Sequence, residues 1–336
     1  MTTTQAPAAT RKRPGGIPPG LLRYVLLRIS AAIVVMLVVS FVVFLFVHAA
    51  PGGPEYAIAG KLATEEQLAN IRQIYGFDRP LLEQYWTYLG QLLHGELGES
   101  VIQRRPVAAL LGEAAQVTVP LLLFTWVIAL VAGVAIGIVT AYRAGSRIDR
   151  FALGMTTLGA STPAFVVGTV FAWFFGVELG WFPALGIGDG GLDTIAHLVL
   201  PATTMAIAVL AITTRISRVR IGQILAEDQA LFARARGLGR WWTLRNVVLR
   251  NAGVQLITLS GTIVVSLFTG LILVERVFNL PGIGSLMVEA IHDQDMPVIQ
   301  GVTLCAALLV VVVNLVVDLL CMLVDPRLRV RLESAR

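Results

Sequence analysis

Six runs of this chain, roughly 24–48, 117–142, 151–175, 198–221, 254–274 and 299–324, each match the ~20 predominantly apolar residues that a helix needs to cross a bilayer. One water-soluble core cannot absorb them all. Of the 336 residues 56% are hydrophobic and only 14% charged, where soluble domains carry about 25% charged residues. The chain therefore reads as an all-α membrane protein with six transmembrane helices.

Arginine sets the orientation, since lysine occurs only at Lys12 and Lys61. With the N-terminus inside, the cytoplasmic stretches hold Arg11, Lys12, Arg13, Arg23 and Arg28, then Arg143, Arg147 and Arg150, then eight arginines between 215 and 250, then Arg327, Arg329, Arg331 and Arg336. These are 20 of the 26 Lys and Arg. Most of the acids lie on the other side, so the positive-inside rule places both termini in the cytoplasm of a multi-pass cell (plasma or inner) membrane protein. The net charge of +5 then reports topology and gives no reason to invoke nucleic acid.

Residues 1–22, rich in Thr, Ala, Pro and Gly, lack a hydrophobic period and read as a disordered basic tail; 326–336 form the other cytoplasmic tail. The first span, 23–50, ends in "FVHAAPGG", which loosely resembles a signal-peptide cleavage site, but an h-region is only about 7–15 residues and this run is far longer. Residues 51–116 are too patterned for a simple loop. "TEEQLANIRQIYG" opens with a capping box, Thr64 with Gln67, and sets Leu68, Ile71 and Tyr75 on one helical face. A second helix is expected after Asp78, with Pro80 in its first turn and Leu81, Tyr85, Tyr88, Leu89 and Leu92 on its apolar side. The two form a small extracytoplasmic helical subdomain whose apolar faces pack on each other and on the spans. The remainder, 117–325, is a transmembrane core with a cytoplasmic loop at 222–251 and an outer loop at 275–298.

Several chemistries are missing. A Walker A loop needs G-x-x-x-x-G-K-[ST], and neither lysine sits in one. His48, His94, His197 and His292 have no metal-ligand spacing, so no metal site is expected. "GASTP" at 159–163 is only a near miss to a nucleophile elbow. Cys305 and Cys321 lie 16 residues apart on one span, about 24 Å along a helix, and cannot pair. No catalytic residue and no cofactor on the chain itself are expected, and transport remains.

The segment "FARARGLGRWWTLRNVVLRN", 232–251, stands out between two apolar runs, with five arginines and a Trp-Trp pair. Positive-inside bias or anionic lipid explains arginines in any order; neither explains this order. Ala233 and Ala235 precede Gly237 in a helix–turn pattern, and "WWTLRNVVLRNA" reads as a second short helix leading into the fifth span. Gly237 lets the backbone reverse between them, with positive φ. Aromatic residues with arginine are what protein interfaces enrich. The expected docking surface comprises Glu227, Asp228, Phe232, Ala233, Arg234, Ala235, Gly237, Leu238, Arg240, Trp241 and Trp242.

From about residue 22 to 331 the chain resembles the permease subunits of binding-protein-dependent ABC importers, in the dipeptide, oligopeptide and nickel group. The matching stretches are the loop from Glu227 through "ARARGL" to "LRN", "PGGP" at 51–54, "YGFDRPLLEQYWTYLG" at 75–90, "LGWFPALG" at 179–186, "HLVLPATTMA" at 197–206, "VERVFNLPGIGSLMVEAI" at 274–291, and "VNLVVDLL" with "DPRLR" within 313–329. Their number, order and spacing make the match specific. The chain departs at Phe232, where the family often has Thr, at Arg236 where it has Lys, and in lacking a proline soon after "LRN".

The resemblance implies the type I importer permease fold and half of a pore for short peptides, with nickel or another small solute as the alternative cargo. It implies a second homologous permease, two cytoplasmic ATPases that carry the ATP and Mg²⁺, and an extracytoplasmic substrate-binding protein. Pro281, Gly282 and Gly284 with the short apolar helix after them fit a re-entrant scoop at the pore mouth, allowed where it lines a cavity. Among polar residues in spans, Ser260, Thr262, Ser266 and Thr269 on the fifth are the pore-lining candidates. Asn314 and Asp318, four apart on the sixth, suit hydrogen bonds to a neighbouring span better than a substrate path. A secondary transporter would show an inverted repeat with broken spans, and an intramembrane enzyme a nucleophile with its base; the sequence displays neither.

Overall fold

The computed structural model describes residues 19–49, 55 and 63–324. Expectations for 1–18, for "PGGP" and for 325–336 fall outside these residues. Within them the regular elements are helices, beside one isolated bridge between Glu99 and Pro106. We number them α1 (Pro19–Ala49), α2 (Glu65–Tyr75), α3 (Leu81–Leu93), α4 (Val107–Tyr142), α5 (Arg147–Ser161), α6 (Ala164–Phe171), α7 (Leu192–Ala226), α8 (Asp228–Ala235), α9 (Arg240–Thr243), α10 (Leu249–Val277), α11 (Ile283–Asp293) and α12 (Met296–Val324). A π-helical turn at Ala172–Glu178 extends α6, and another at Leu244–Val248 fuses α9 to α10.

Five stretches are long and apolar enough to cross a membrane: Val25–Ala49, Val107–Tyr142, Leu192–Ala226, Arg240–Val277 and Met296–Val324. The remaining expected span, the third, is not a single rod. Around the run 151–175 the chain turns by 100° between α5 and the α6 segment. The cause is Pro163, whose ring disfavours helical backbone at the residue before it; Thr162 is extended, with ψ 130°. Apolar composition alone runs straight through such a break. At the break Thr162 N–H donates to Gly159 O at 3.3 Å and Thr162 Oγ1 to Leu158 O at 3.0 Å, so these two carbonyls are met locally, as apolar surroundings require.

Helices also begin earlier than hydropathy suggests. α4 starts at Val107, so the last ten residues assigned by sequence to the outer subdomain belong to the helix of the second span. α2 carries the expected capping box at Thr64 and Gln67, and Gly76 closes it with φ 71°. Pro80 occupies the N-cap of α3 rather than its first turn, and Leu81 is exposed, while Tyr85 is buried.

The centre is the α4–α7 pair. Gly133 and Gly137, four apart on α4, meet Thr213 and Ser217 of α7; a Cβ on Gly137 would sit 2.6 Å from the Ser217 Cβ, and one on Gly133 would overlap Thr213. Small residues at this spacing let helix backbones approach where lipid offers no hydrophobic drive. Leu121, Ala129, Met205, Ile263, Leu267 and Phe278 complete the main core. Satellite clusters lie at the two ends of α4, one around Leu110, Ile283 and Val298, the other around Ile221, Ile224, Ala230 and Val248.

Candidate functional site

The end of the bundle marked by Ala230 and Val248 holds the expected docking segment. α7 runs to Ala226, Glu227 is extended, and α8 folds back beneath the spans. α8 ends in a Schellman motif: Leu238 N–H donates to Ala233 O at 3.0 Å and Gly237 N–H to Arg234 O at 2.9 Å. Gly237 has φ 75°, the left-handed backbone that the reversal requires. The second short helix is not a separate element. α9, the π turn and α10 form one helical stretch, Arg240–Val277, which narrows the excursion between spans to 227–239.

This segment is fixed to the bundle rather than loose. Ala230 packs against Ile221, Ile224, Val247 and Val248, with Ile138 and Tyr142 of α4 beside them, and Ala233 is buried as well. Asn251 Nδ2 donates to Gln229 Oε1 at 3.1 Å, and Tyr142 Oη to Arg240 O at 3.4 Å. The candidate residues therefore divide. Ala233, 5% exposed, is an anchor: its small side chain lets α8 lie flush, and it offers no surface to a partner. Leu238 is half-buried, while Glu227, Asp228, Arg234, Ala235, Gly237 and Arg240 are exposed. Phe232 and Trp241 are 68% and 73% exposed and Trp242 is also open, giving an aromatic and cationic surface on a rigid base.

Sequence reasoning missed a brace beside it. Asp149, almost fully buried on α5, accepts Nε of Arg218 at 2.8 Å and its second guanidinium nitrogen at 2.7 Å, and takes the Gly145 N–H at 2.8 Å. This fork ties α5 to α7 little more than two turns before the docking segment. Ser146 caps α5 through the Asp149 N–H, so S-x-x-D marks the helix start in sequence; nothing there marks a partner 69 positions away.

On α10, Gln255, Thr258, Thr262 and Thr269 are exposed and Ser266 is half-buried, a polar stripe at helical spacing along an apolar helix. Thr258, Thr262 and Ser266 each return their hydroxyl proton to the carbonyl four residues earlier. Ser260 is the exception. Its Oγ accepts Trp126 Nε1 of α4 at 3.0 Å, so it points into the bundle and does not share the open stripe. Of the intramembrane pair, Asp318 meets the guanidinium of Arg28 on α1 at 2.9 Å, whereas Asn314 Nδ2 bonds Val310 O of its own helix and reaches no neighbouring span.

At the opposite end, Gly282 and Gly284 serve close packing. The buried Glu275 carboxylate accepts Thr118 Oγ1 at 2.6 Å and the Ser285 N–H at 2.9 Å, holding the N-terminus of α11 against α10 and α4. A Cβ on Gly282 would overlap that carboxylate, and one on Gly284 would lie 2.8 Å from Ile272 Cα. Pro281 is exposed beside them. In sequence Glu275 directly follows Val274 at the end of the fifth apolar run, and a charge at such an edge gives no sign of full burial.

Residues 133–330 match the family described as binding-protein-dependent transport system inner membrane component, and residues 21–122 match its N-terminal membrane-component counterpart. The chain is 37% identical over 309 residues to the probable peptide ABC transporter permease protein y4tP of Sinorhizobium fredii, covering 91% of this chain and 99% of that one. It is 37% identical, again over 309 residues, to the glutathione transport system permease protein GsiC of Escherichia coli O6:H1 and to that of Salmonella paratyphi A, with 92% and 99% covered in both comparisons.

Proposed function

The chain belongs to the inner membrane component family of binding-protein-dependent transport systems, and on that premise we propose that it forms half of the path of an ATP-driven importer of short peptides. It is a multi-pass membrane permease. The relatives named for peptide and glutathione transport favour peptides over nickel. In this reading a second, homologous permease completes the pore, two ATPases carry ATP and Mg²⁺, and a substrate-binding protein delivers cargo from outside. The arginine bias supports a cytoplasmic position for 227–239 and for both termini in this reading.

The observation that supports docking most directly is the exposed set Phe232, Arg234, Trp241 and Trp242 on a base packed to α4, α7 and α10. A surface so anchored transmits a push from a closing ATPase pair as rigid-body motion of the spans. The stripe Thr262, Ser266 and Thr269 suits the path, because the Thr262 and Ser266 hydroxyls, folded back on carbonyls of their own helix, tolerate a partly wet lining without holding a cargo tightly. Uptake of a labelled tripeptide by cells expressing the full system decides the substrate class. Competition by unlabelled di- to pentapeptides is expected; competition by Ni²⁺ alone would move the assignment to the metal.

A further inference from the structure

Helix α3 has an apolar arc that the fold only half covers. On a 3.6-residue helix Leu81, Tyr85, Tyr88 and Leu92 fall along one line, Leu82, Trp86, Leu89 and Leu93 along a second about 100° away, and Glu83, Thr87, Gly90, Gln91 and His94 on the remaining side. The middle of the first line packs on α1: the Tyr85 ring lies 5.1 Å from Phe41 and 5.5 Å from Phe44, and Tyr88 lies 5.7 Å from Phe44. The second line is open, with Leu82 64%, Trp86 64% and Leu93 88% exposed. On the third side Glu83, Thr87, Gln91 and His94 are exposed as well.

The depth of these contacts identifies what covers the open line. His48 stands at the end of the apolar run of α1, where its Nε2 meets Gln84 Oε1 at 2.8 Å. Phe41 lies seven residues further in, about 10 Å along the helix. Tyr85 Oη reaches deeper still, donating to Leu37 O at 3.0 Å and lying 2.9 Å from Ser40 Oγ. These polar groups pair with each other inside an apolar span, where an unmet one costs several kcal/mol. α3 thus rests against the lipid-crossing part of α1, continuous with the exposed apolar residues Val38, Val42 and Leu45.

We propose that α3 is a membrane-interfacial helix, lying in the leaflet at the Ala49 end of α1 with Leu82, Trp86 and Leu93 in the acyl chains and Glu83, Thr87, Gln91 and His94 toward water. An interfacial helix buries its apolar face by about 5–10 Å, which agrees with the level of Phe41. Such helices commonly carry basic residues that attract anionic headgroups; α3 has none, and the contacts to α1 hold it in place instead. The proposal concerns this helix alone and is independent of the cargo.

The test is depth measurement on the complete transporter in nanodiscs. Single cysteines at 82, 86, 93, 87 and 91, in a Cys305→Ala, Cys321→Ala background, carry a nitroxide, with one at 38 on α1 as the lipid reference. At 82, 86 and 93 oxygen collisions should exceed those of a water-soluble nickel chelate several-fold, as at 38, and at 87 and 91 the order should invert. Nickel-dominated collisions at 86 and 93 would mean a water-facing helix and overturn the proposal. Low collision rates with both reagents would mean protein cover and overturn it too. A label-free measurement guards against perturbed variants: brominated lipid should quench less of the total tryptophan fluorescence in Trp86→Phe than in the parent, and equal quenching would count against lipid contact.

Discussion

Replacing Gly237 with valine attacks the docking surface at one backbone angle. At φ 75° a Cβ would meet nothing within 4 Å, so the penalty is conformational and not steric crowding by neighbours. Left-handed backbone costs a residue with a Cβ about 1–2 kcal/mol, and a β-branched side chain more. If the chain escapes to negative φ, it gives up the Leu238–Ala233 and Gly237–Arg234 bonds, each contributing roughly 0.5–1.5 kcal/mol net. Either route disfavours the native turn by about 2 kcal/mol, a factor of roughly 30 in population. Because Trp241 belongs to the same helical stretch as α10, the element displaced is the end of α8, with Phe232 and Arg234. Gly237→Val should accumulate in the membrane like the parent but lose ATPase co-purification and uptake. Gly239→Ala provides the control: Gly239 has φ −62° and ψ 159°, with open space at its Cβ, and the change should be neutral. Arg240→Gln, a charge loss on the same surface, should be milder than the valine. Parent-like transport by Gly237→Val, or failure of that variant to reach the membrane, would refute the docking argument.

Asp149→Ala strands the Arg218 guanidinium at a largely buried site; breaking such a pair costs about 3 kcal/mol, so thermal stability in detergent should fall clearly, and unchanged melting would show the brace to be idle. Gly282→Ala forces a methyl onto the Glu275 carboxylate and should cost roughly 1–3 kcal/mol as overpacking, while Gly270→Ala, with free space around it, should not; equal melting of the two would contradict the packing described. Thr262→Leu should reduce uptake without lowering thermal stability, whereas Ser260→Ala should leave uptake intact and alter the Trp126 fluorescence, and the reverse pattern would place the path on the other face of α10.

The number of apolar segments and the distinct segment at 232–251 are legible because both rest on local composition: lipid demands long apolar runs, and a cluster of arginines with tryptophans has no place within one. The kink at Thr162–Pro163 was also legible, through the proline, but hydropathy averaged over it. What sequence does not carry is direction around a helix when every side is apolar. Ser260 and Thr262 differ by two positions and look alike as intramembrane hydroxyls, yet one meets Trp126 and the other lies open. Ala233 and Ala235 look alike too, and only their burial in the fold separates the 5% exposed Ala233 from the exposed Ala235. The long-range pairs Asp149–Arg218, Glu275–Thr118 and Asp318–Arg28 depend on which helices become neighbours, information that no local window contains.

Those pairs sit where the long helices need them. The stretch Arg240–Val277 contains 38 residues, about 57 Å of helix, with Trp241 at one end and Glu275 at the other. Glu275 holds α11 through the Ser285 N–H and holds α4 through Thr118, so α10 cannot tilt without carrying α11 or breaking a buried carboxylate from its donors. At the docking end Asp149 binds α5 to α7, and Ala230 and Val248 bind α8 to α10. A displacement of the proposed docking surface would therefore meet a frame in which neighbouring helices are cross-linked at both ends. The 100° break between α5 and α6 is where this frame lacks a continuous backbone rod, which makes Pro163 the place where a rocking bundle would absorb its change of angle.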